Sequence, residues 1–284
     1  MTVFGTVGLV VRSVSFPPGF IAMSRGYVGA LVIFIFMAAR GRLPNLLAIK
    51  KNFVPLFLSG AFIGINWILL FESYSYVGVS TATLCYYMAP VFVIIASPIF
   101  LSEKPGAVKI VAALVAFVGM ALVSEPWSDS FGGKGMIGVS LALGAALFYA
   151  SVTVTNKKMK DISSLDITLV QLLVAAVVVT PYSLIAEKIT PEMFEPSSVL
   201  LLLAMGLVHT GVAYLLFFSA IKELPAAQCA IFGYVDPIVA LILSAVVLGE
   251  KMSVFGIVGA VLILAATFSS EVIPALSERT QPDE

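Results

Sequence analysis

The stretch APVFVIIASPIFLSEKPG, residues 89–106, has a counterpart 147 positions later in DPIVALILSAVVLGEKMS, residues 236–253. In both stretches a proline precedes an apolar run that ends in a Glu-Lys pair. The same offset aligns residues 56–123 with residues 203–270 without a gap, giving 14 identities in 68 positions. The rarer residues that coincide are Tyr87, Pro90, Glu103 and Lys104 with Tyr234, Pro237, Glu250 and Lys251. This register indicates an internal repeat.

The composition of the chain excludes a water-soluble globule. Of its 284 residues, 60% are hydrophobic and 11% are charged, and the mean hydropathy is +1.07. A soluble domain carries about 25% charged residues, so most of this chain must face lipid or other apolar segments. The sixteen basic and sixteen acidic residues cancel, which leaves no net field to attract nucleic acid. We therefore expect an integral membrane protein whose surroundings are the lipid bilayer.

Nine apolar runs are long enough to cross a bilayer as helices, which takes about 20 residues each. They cover residues 18–39, 53–76, 80–101, 106–123, 135–155, 165–186, 199–220, 226–248 and 254–270. A tenth run, residues 1–15, is shorter, since counted to Arg12 it extends about 18 Å as a helix against a hydrocarbon core of about 30 Å. The sequence thus predicts an all-α integral membrane protein with ten transmembrane helices, the first one short.

Each repeat holds five of these spans, with residues 1–124 in the first repeat, residues 135–273 in the second and residues 274–284 in a tail. Because five is odd, the second repeat is expected to enter the membrane from the side opposite to the first. Two similar halves that face opposite ways can pack in two nearly equivalent arrangements, each open on one side. The pattern therefore predicts an inverted repeat suited to alternating access.

The distribution of lysine and arginine predicts which side each loop faces, because basic loops are retained in the cytoplasm. If the N-terminus is inside, the inner loops and the tail hold eleven basic residues: Arg40, Arg42, Lys50, Lys51, Lys104, Lys109, Lys157, Lys158, Lys160, Lys222 and Arg279. The outer loops hold three, namely Lys134, Lys188 and Lys251. Both termini are therefore expected on the cytoplasmic side of the plasma membrane.

The quoted stretches resemble the endings of the fourth and ninth helices in the EamA-type drug/metabolite transporter superfamily. FGTVGLVVR, residues 4–12, resembles the second half of its first helix, and AMSRGYVGALV, residues 22–32, resembles its second helix. Two departures are a first helix that begins several residues later than is usual, and Ala89 before Pro90 where Asp236 precedes Pro237. The resemblance implies a ten-helix transporter, commonly an exporter of amino acids or other small metabolites.

Two prolines at repeat-related positions, Pro90 and Pro237, are predicted hinges. A proline lacks an N–H and clashes with the preceding turn, so the carbonyls of Tyr86 and Gly233 should lose their helical partners within the membrane. Either both helices bend around a wet central cavity in which these carbonyls meet solute or water, or neighbouring helices satisfy the kinks. We favour the hinge interpretation because the two prolines are related by the repeat.

Asp236 lies about 11 residues into its predicted span, where a lipid-exposed carboxylate costs on the order of 3 kcal/mol. It must therefore face the protein interior. It can bind the ammonium group of a solute, carry a coupling proton, or stay protonated and hydrogen-bonded. His209 lies at a similar depth and is the only histidine in the chain. Beside Asp236 it can form a proton relay, and alone it is more often a hydrogen-bonded core residue.

Arg25 in the second span stays charged at physiological pH and requires water or an anion. Glu72, near the outer end of the third span, is a candidate partner in a structural ion pair. The alternative is that Arg25 binds a carboxylate of the solute. With an offset of 146, Arg25 aligns with Gln171 of the seventh span, which makes Gln171 a second candidate for the cavity. Arg25 and Asp236 together would suit a zwitterion such as an amino acid.

The third span carries a polar stripe, because Asn66 shares a helical face with Ser59 and Ser73. This stripe is expected to face the cavity. Aromatic residues with polar groups also fall at interior depths and either line a solute cavity or pack in the core. They are Trp67, Tyr86, Tyr87, Tyr149, Tyr214 and Tyr234. By contrast, Glu103 and Glu250 at helix ends are expected to be solvated caps or members of loop ion pairs.

A secondary transporter is the function that these features favour. The chain has no phosphate-binding GxxxxGK[ST] loop of an ATP-driven pump. An intramembrane enzyme is the alternative, although neither HExxH nor GxSxG occurs, and a channel or a scaffold is a third class that predicts a continuous pore or none. Cys85 and Cys229 lie in apolar runs, and with one histidine no zinc-type cluster can form. We therefore expect no metal, no cofactor and no enzymatic activity.

Overall fold

The computed structural model describes residues 2–102, 105–125, 132–217, 232 and 235–277. Every regular element within these ranges is helical. In chain order the helices are α1 (Thr2–Gly5), α2 (Val7–Ser13), α3 (Pro18–Ala39), α4 (Leu46–Lys51), α5 (Phe53–Tyr86), α6 (Ala89–Phe100), α7 (Ala107–Ser124), α8 (Lys134–Asn156), α9 (Ser164–Ala186), α10 (Pro196–Phe217), α11 (Val235–Val246) and α12 (Val254–Ser277). A short 3₁₀ turn, Pro191–Phe194, precedes α10.

Six of these helices, α3, α5, α7, α8, α9 and α10, are long and apolar enough to cross a membrane, and four shorter apolar helices accompany them. The chain is therefore a multi-pass membrane protein. Most predicted spans coincide with one of these helices or with part of one, whereas the first is divided between α1 and α2 and the fourth between α5 and α6. The end of the eighth predicted span and the start of the ninth lie outside the described residues, as do Glu103, Lys104, Lys222, Cys229, Tyr234 and Arg279.

Helix α5 contains the third predicted span and the start of the fourth, and it breaks in the gap between residues 76 and 80 that separates these spans. Gly78 has φ 75° and ψ 172°, so the helix breaks sharply between the two predicted spans. A second break follows at Tyr87 and Met88, which separate α5 from α6. The fourth predicted span therefore consists of two helical pieces that meet at Tyr87 and Met88, just before Pro90, where the sequence predicts a bend.

Large apolar side chains cover the outside of the helix bundle. Ile185 on α9 is 85% exposed and Val246 on α11 is 77% exposed. In water such a surface would be an extended aggregation-prone patch, whereas in a bilayer these side chains meet lipid tails at no cost. Smaller residues occupy the inside, where Ala116, Ala142 and Ala145 have no exposed surface. Small side chains allow transmembrane helices to approach closely.

Contacts at the helix ends show that α3 and α9, which occupy corresponding positions in the two repeats, run antiparallel. Gly19 in the first turn of α3 donates its N–H to Glu187, the residue after the end of α9, at 2.7 Å. At the other end of the pair, Arg42 lies beyond α3, and its Nη2 is 3.4 Å from a carboxylate oxygen of Asp166 in the first turn of α9. The start of each helix therefore lies beside the end of the other.

The fifth and tenth predicted spans, α7 and α12, are also antiparallel. Ser253, just before α12, donates a hydrogen bond to Glu125, just after α7. The helix contacts also correspond between the two repeats. The contact of α3 with α10 corresponds to that of α9 with α5, and the contact of α6 with α8 corresponds to that of α11 with α1. Corresponding helices in the two repeats thus have corresponding neighbours.

The α7–α12 pair is held at backbone contact by two glycines. A Cβ atom added at Gly259 would lie 2.5 Å from the carbonyl oxygen of Gly119, a separation that real Cβ atoms do not show. At Gly256, one turn earlier on α12, an added Cβ would meet nothing closer than 3.4 Å. The close approach of the two helices therefore depends on Gly259.

We expect Gly259→Ala to lower the stability of the purified protein by about 1–3 kcal/mol, because the added methyl group forces two backbones apart. Thermal unfolding in detergent micelles measures this loss. Gly256→Ala is the matched control, and its melting temperature should stay within the error of the unsubstituted chain. Equal melting temperatures for the two variants would contradict the assigned packing.

Candidate functional site

A cavity of about 560 Å³ lies between the two repeats. The first repeat contributes α1, α2, α3, α5 and α6 to its wall, and the second contributes α8, α9, α10 and α11. Its volume falls within the range of sites for small organic ligands. Most of its lining is apolar or aromatic, and polar groups enter at a few places.

Most of the predicted site residues line this cavity. They are Arg25, Asn66, Trp67, Tyr86, Tyr87, Pro90, Tyr149, Gln171, Tyr214 and Asp236. Two predicted residues, His209 and Pro237, are absent from the lining. The structure thus brings together residues that are up to 211 positions apart in the chain, from Arg25 to Asp236.

Arg25 is a buried cation in the wall of the cavity, with 5% of its surface exposed. Its Nε donates a hydrogen bond to the Thr210 hydroxyl at 2.7 Å. Its guanidinium carbon lies 4.3 Å from the centre of the Trp67 ring and 5.7 Å from that of Phe71. These aromatic faces attract a cation and hold the guanidinium group in place.

Of the two alternatives for Arg25, the ion pair with Glu72 does not form in the described part of the chain. The ion pairs there are Arg42 with Asp166 and Lys51 with Asp161, both at the ends of helices. Arg25 instead turns toward α10, whose π-helical segment Met205–Val212 places the Thr210 hydroxyl beside it. The sequence analysis missed Thr210 because nothing in the sequence marks a π-helical turn.

Asp236 and Tyr87 join the two repeats across the cavity. The Tyr87 hydroxyl donates a hydrogen bond to a carboxylate oxygen of Asp236 at 3.0 Å. Tyr87 occupies the break between α5 and α6, and Asp236 lies in the first turn of α11. Because the helix is already interrupted, Pro90 occupies the first turn of α6, where its missing N–H has no consequence. The prediction that Pro90 bends a continuous helix therefore requires correction.

Asn66 and Gln171 also lie in the wall, and both make hydrogen bonds across the helix packing. Asn66 donates to the carbonyl oxygen of Ala145 at 2.6 Å. The Gln171 amide donates to the Ser59 hydroxyl at 2.7 Å and to Asn156 Oδ1 at 2.6 Å. The predicted stripe faces the cavity only at Asn66, since Ser59 and Ser73 are fully buried and do not line it.

His209 is a hydrogen-bonded core residue. Its Nε2 lies 2.8 Å from the Thr6 hydroxyl and its Nδ1 lies 3.4 Å from the carbonyl oxygen of Ala204. It joins α10 to the junction of α1 and α2, away from the lining of the cavity. The proton relay through His209 and Asp236 that the sequence suggested as one alternative is therefore absent from this arrangement of the described residues.

Glu250, expected to be a solvated cap or a loop ion pair, caps a helix of the other repeat. Its carboxylate accepts hydrogen bonds from the N–H groups of Val79, at 2.8 Å, and Ser80, at 3.0 Å. Ser244 on α11 donates to the same carboxylate, and its hydroxyl lies 2.6 Å from that of Ser80. We call these four residues, Val79, Ser80, Ser244 and Glu250, the Glu250 clasp.

The break at Gly78 creates the clasp. It exposes backbone N–H groups at the start of the second part of α5, and a carboxylate satisfies such groups and the positive end of the helix dipole. A Cβ atom at Gly78 would lie 2.6 Å from a Glu250 oxygen, so glycine is required there for space as well as for its positive φ. Thr83, one turn after Ser80, lines the cavity. The clasp therefore lies beside one end of the cavity.

The sequence analysis also missed several wall residues. They are Phe4, Phe71, Tyr74, Thr83, Asn156, Thr168 and Phe217. Phe71 and Tyr74 follow Trp67 at helical spacing of four and seven residues, so extending that face along the helix would have found them. The same extension on α8 and α9 would have found Asn156, seven residues after Tyr149, and Thr168, three residues before Gln171.

Comparison with known proteins agrees with this architecture. The model of the EamA-like transporter family matches residues 1–125 and 136–270. The chain belongs to the EamA-like transporter family. The two matched segments correspond to the two halves that enclose the cavity.

Two relatives and one solved structure are similar to this EamA-like transporter. It is 27% identical to the uncharacterized transporter YxxF of Bacillus subtilis over 266 residues. This alignment covers 93% of this chain and 85% of the relative. It is 34% identical over 125 residues to a riboflavin transporter of Vibrio cholerae, covering 44% of this chain and 40% of that one. A solved crystal structure with 17% identity superposes with a TM-score of 0.67 over 95% of this chain and 94% of its own, which shows a shared fold.

Glu250→Ala is expected to destabilise this EamA-like transporter by about 1.5–3 kcal/mol, because two backbone N–H groups lose a charged acceptor. The loss should appear as a lower melting temperature in detergent micelles. Lys251→Ala, at an exposed neighbouring position, is the control and should melt like the unsubstituted chain. If Glu250→Ala melts like the control, the clasp contributes nothing to the stability of the bundle.

Proposed function

We propose that this EamA-like transporter is a secondary transporter that moves a small organic metabolite, an amino acid or a similar solute, across the plasma membrane by alternating access, in the direction of export. The observation that carries the proposal is the cavity between the two repeats, in which charged and aromatic groups of both halves face one space. The relatives are named as transporters, which argues against the alternative of an intramembrane enzyme.

Residues 1–124 and 135–273 form, in this proposal, an inverted repeat of five helices each, with ten transmembrane helices in total and a tail of residues 274–284. The antiparallel course of α3 with α9 and of α7 with α12 supports the inversion. Inverted halves can exchange conformations, so that an arrangement open on one side becomes an arrangement open on the other. Pro90, at the break between α5 and α6, and Pro237, in the first turn of α11, are the proposed hinges for this exchange.

Both termini lie in the cytoplasm in this proposal, which the excess of basic residues in one set of loops supports. In that orientation the Glu250 clasp lies at the outer end of the bundle. We propose that it holds this end closed, because it fastens the end of α11 to the break in α5. Opening outward then requires the carboxylate to leave the two N–H groups, and water entering the opened end can replace it as their partner.

Asp236 is the proposed site of proton coupling or of contact with a solute ammonium group. It lines the cavity, lies within the bundle, and its hydrogen bond to Tyr87 links the two repeats. Protonation changes its charge from negative to neutral, which alters both its attraction for a cation and its bond with Tyr87. A single carboxylate can therefore couple solute binding to the relative position of the halves.

Counterflow in proteoliposomes tests the transporter proposal. The full chain is reconstituted, loaded with an unlabelled solute and supplied with a trace of the same solute in labelled form. The panel contains amino acids, amines, nucleobases and, because one relative is named a riboflavin transporter, riboflavin. A transporter accumulates the label transiently with at least one member of the panel, whereas a channel lets it equilibrate without overshoot. If no solute of the panel shows counterflow, the transporter proposal is contradicted.

Asp236→Asn tests the coupling. For a solute that shows counterflow, we expect the variant to lose at least tenfold in uptake driven by a pH gradient, while exchange without a gradient persists, because the amide cannot carry a proton. Tyr87→Phe is the companion variant, since it removes only the hydrogen bond to Asp236 and should weaken the response to the gradient without abolishing it, because the carboxylate that carries the proton remains. Full uptake with unchanged pH dependence in Asp236→Asn would remove Asp236 from any proton role.

A further inference from the structure

Arg25 is a buried cation without an acidic partner among the residues that the structure describes. Its nearest partners are neutral: the Thr210 hydroxyl accepts the Nε–H, and the rings of Trp67 and Phe71 lie against the guanidinium group. The ion pairs of the described ranges involve other residues. Asp236 lies in the wall of the same cavity and interacts with Arg25 electrostatically, but the two side chains form no ion pair.

A guanidinium group carries five N–H donors, of which Nε supplies one and the two Nη atoms supply four. The hydrogen bond to Thr210 uses the Nε donor. Arg25 forms part of the cavity wall, which leaves the Nη donors as the groups available to an occupant of the cavity. Two parallel N–H donors on a planar group match the geometry of a carboxylate.

The aromatic contacts of Arg25 fix this donor pair. Trp67 at 4.3 Å lies within the range for a cation–π interaction, and the Thr210 hydroxyl at 2.7 Å restrains the Nε edge. A charged side chain held in place before the ligand arrives loses little conformational entropy on binding. This arrangement is typical of a receptor for an anion rather than of a mobile surface arginine.

We infer that Arg25 is the receptor for the carboxylate of the transported solute, which it binds through its two Nη atoms while the apolar body of the solute lies against the aromatic wall. The inference rests on the proposed function and adds to it the chemical class of the solute, an organic acid or a zwitterion with a carboxylate. A solute that carries only a positive charge is expected to bind weakly, because it offers no acceptor to the Nη donors of Arg25 and is repelled by the guanidinium charge.

Binding to the purified full chain tests this inference. The chain contains two tryptophans, so Trp127→Phe leaves Trp67, next to Arg25, as the sole indole reporter. Its fluorescence is titrated with five probes of similar size, which are L-phenylalanine, 3-phenylpropionate, 3-phenylpropanamide, phenethylamine and phenyl phosphate. We expect saturable changes with the two carboxylates, and affinities at least tenfold weaker for the amide and the amine.

The variants separate charge from geometry. Arg25→Gln should weaken binding of 3-phenylpropionate at least tenfold and bring it to the level of the amide. Arg25→Lys keeps the charge but loses the paired donors, so it should bind the carboxylate with intermediate affinity. Arg42→Gln, which removes a partly exposed arginine already paired with Asp166, is the matched control and should bind like the unsubstituted chain. If Arg25→Gln does not fold, the affinities of the unsubstituted chain for 3-phenylpropionate and 3-phenylpropanamide still test the inference.

Three results would overturn the inference. They are equal affinity for 3-phenylpropionate and 3-phenylpropanamide, preference for phenyl phosphate over the carboxylates, and no saturable change with either carboxylate. Counterflow distinguishes this failure from failure of the transporter proposal. If phenethylamine exchanges and Arg25→Gln leaves its exchange unchanged, the transporter proposal holds and the assigned role of Arg25 is contradicted. If no solute exchanges at all, the transporter proposal itself falls.

Discussion

The structure depends on one constraint of the bilayer, which is that every backbone N–H and C=O group must find a partner within the protein. An unbroken helix meets this requirement alone, and each interruption creates groups that need partners from elsewhere. The chain is interrupted at Gly78, at Tyr87 and Met88, and in the π-helical segment of α10. At Gly78 the partner is the carboxylate of Glu250, which comes from the other repeat.

These interruptions also position the polar groups of the cavity. The break before α6 places Tyr87 opposite Asp236, and the π-helical segment places Thr210 beside Arg25. In each case a side chain of one repeat makes a hydrogen bond with an irregular stretch of the other repeat. Other polar contacts between the halves, such as that of Asn66 with Ala145, join regular helices.

The acidic and basic side chains within the bundle differ in the partners that they have. The acidic groups next to the cavity have partners, since Glu250 lies among N–H and hydroxyl donors and Asp236 accepts from Tyr87. Arg25, by contrast, has aromatic rings and one hydroxyl. The difference follows from where the groups lie, because Glu250 lies at a helix start that supplies donors, whereas Arg25 lies midway along α3, where the backbone groups are already paired.

The sequence by itself determined the class of the protein, the position of most helices, the repeat and ten of the residues that line the cavity. Apolar length and the offset of 147 residues report these features directly, because lipid requires long apolar helices and the repeats retain their rare residues in register. Only the tertiary structure decided which groups meet. Arg25 contacts Thr210 rather than Glu72, His209 pairs with Thr6, and Glu250 caps Val79 and Ser80. These contacts depend on broken and π-helical turns and on backbone donors, and side-chain periodicity along a regular helix carries no information about either.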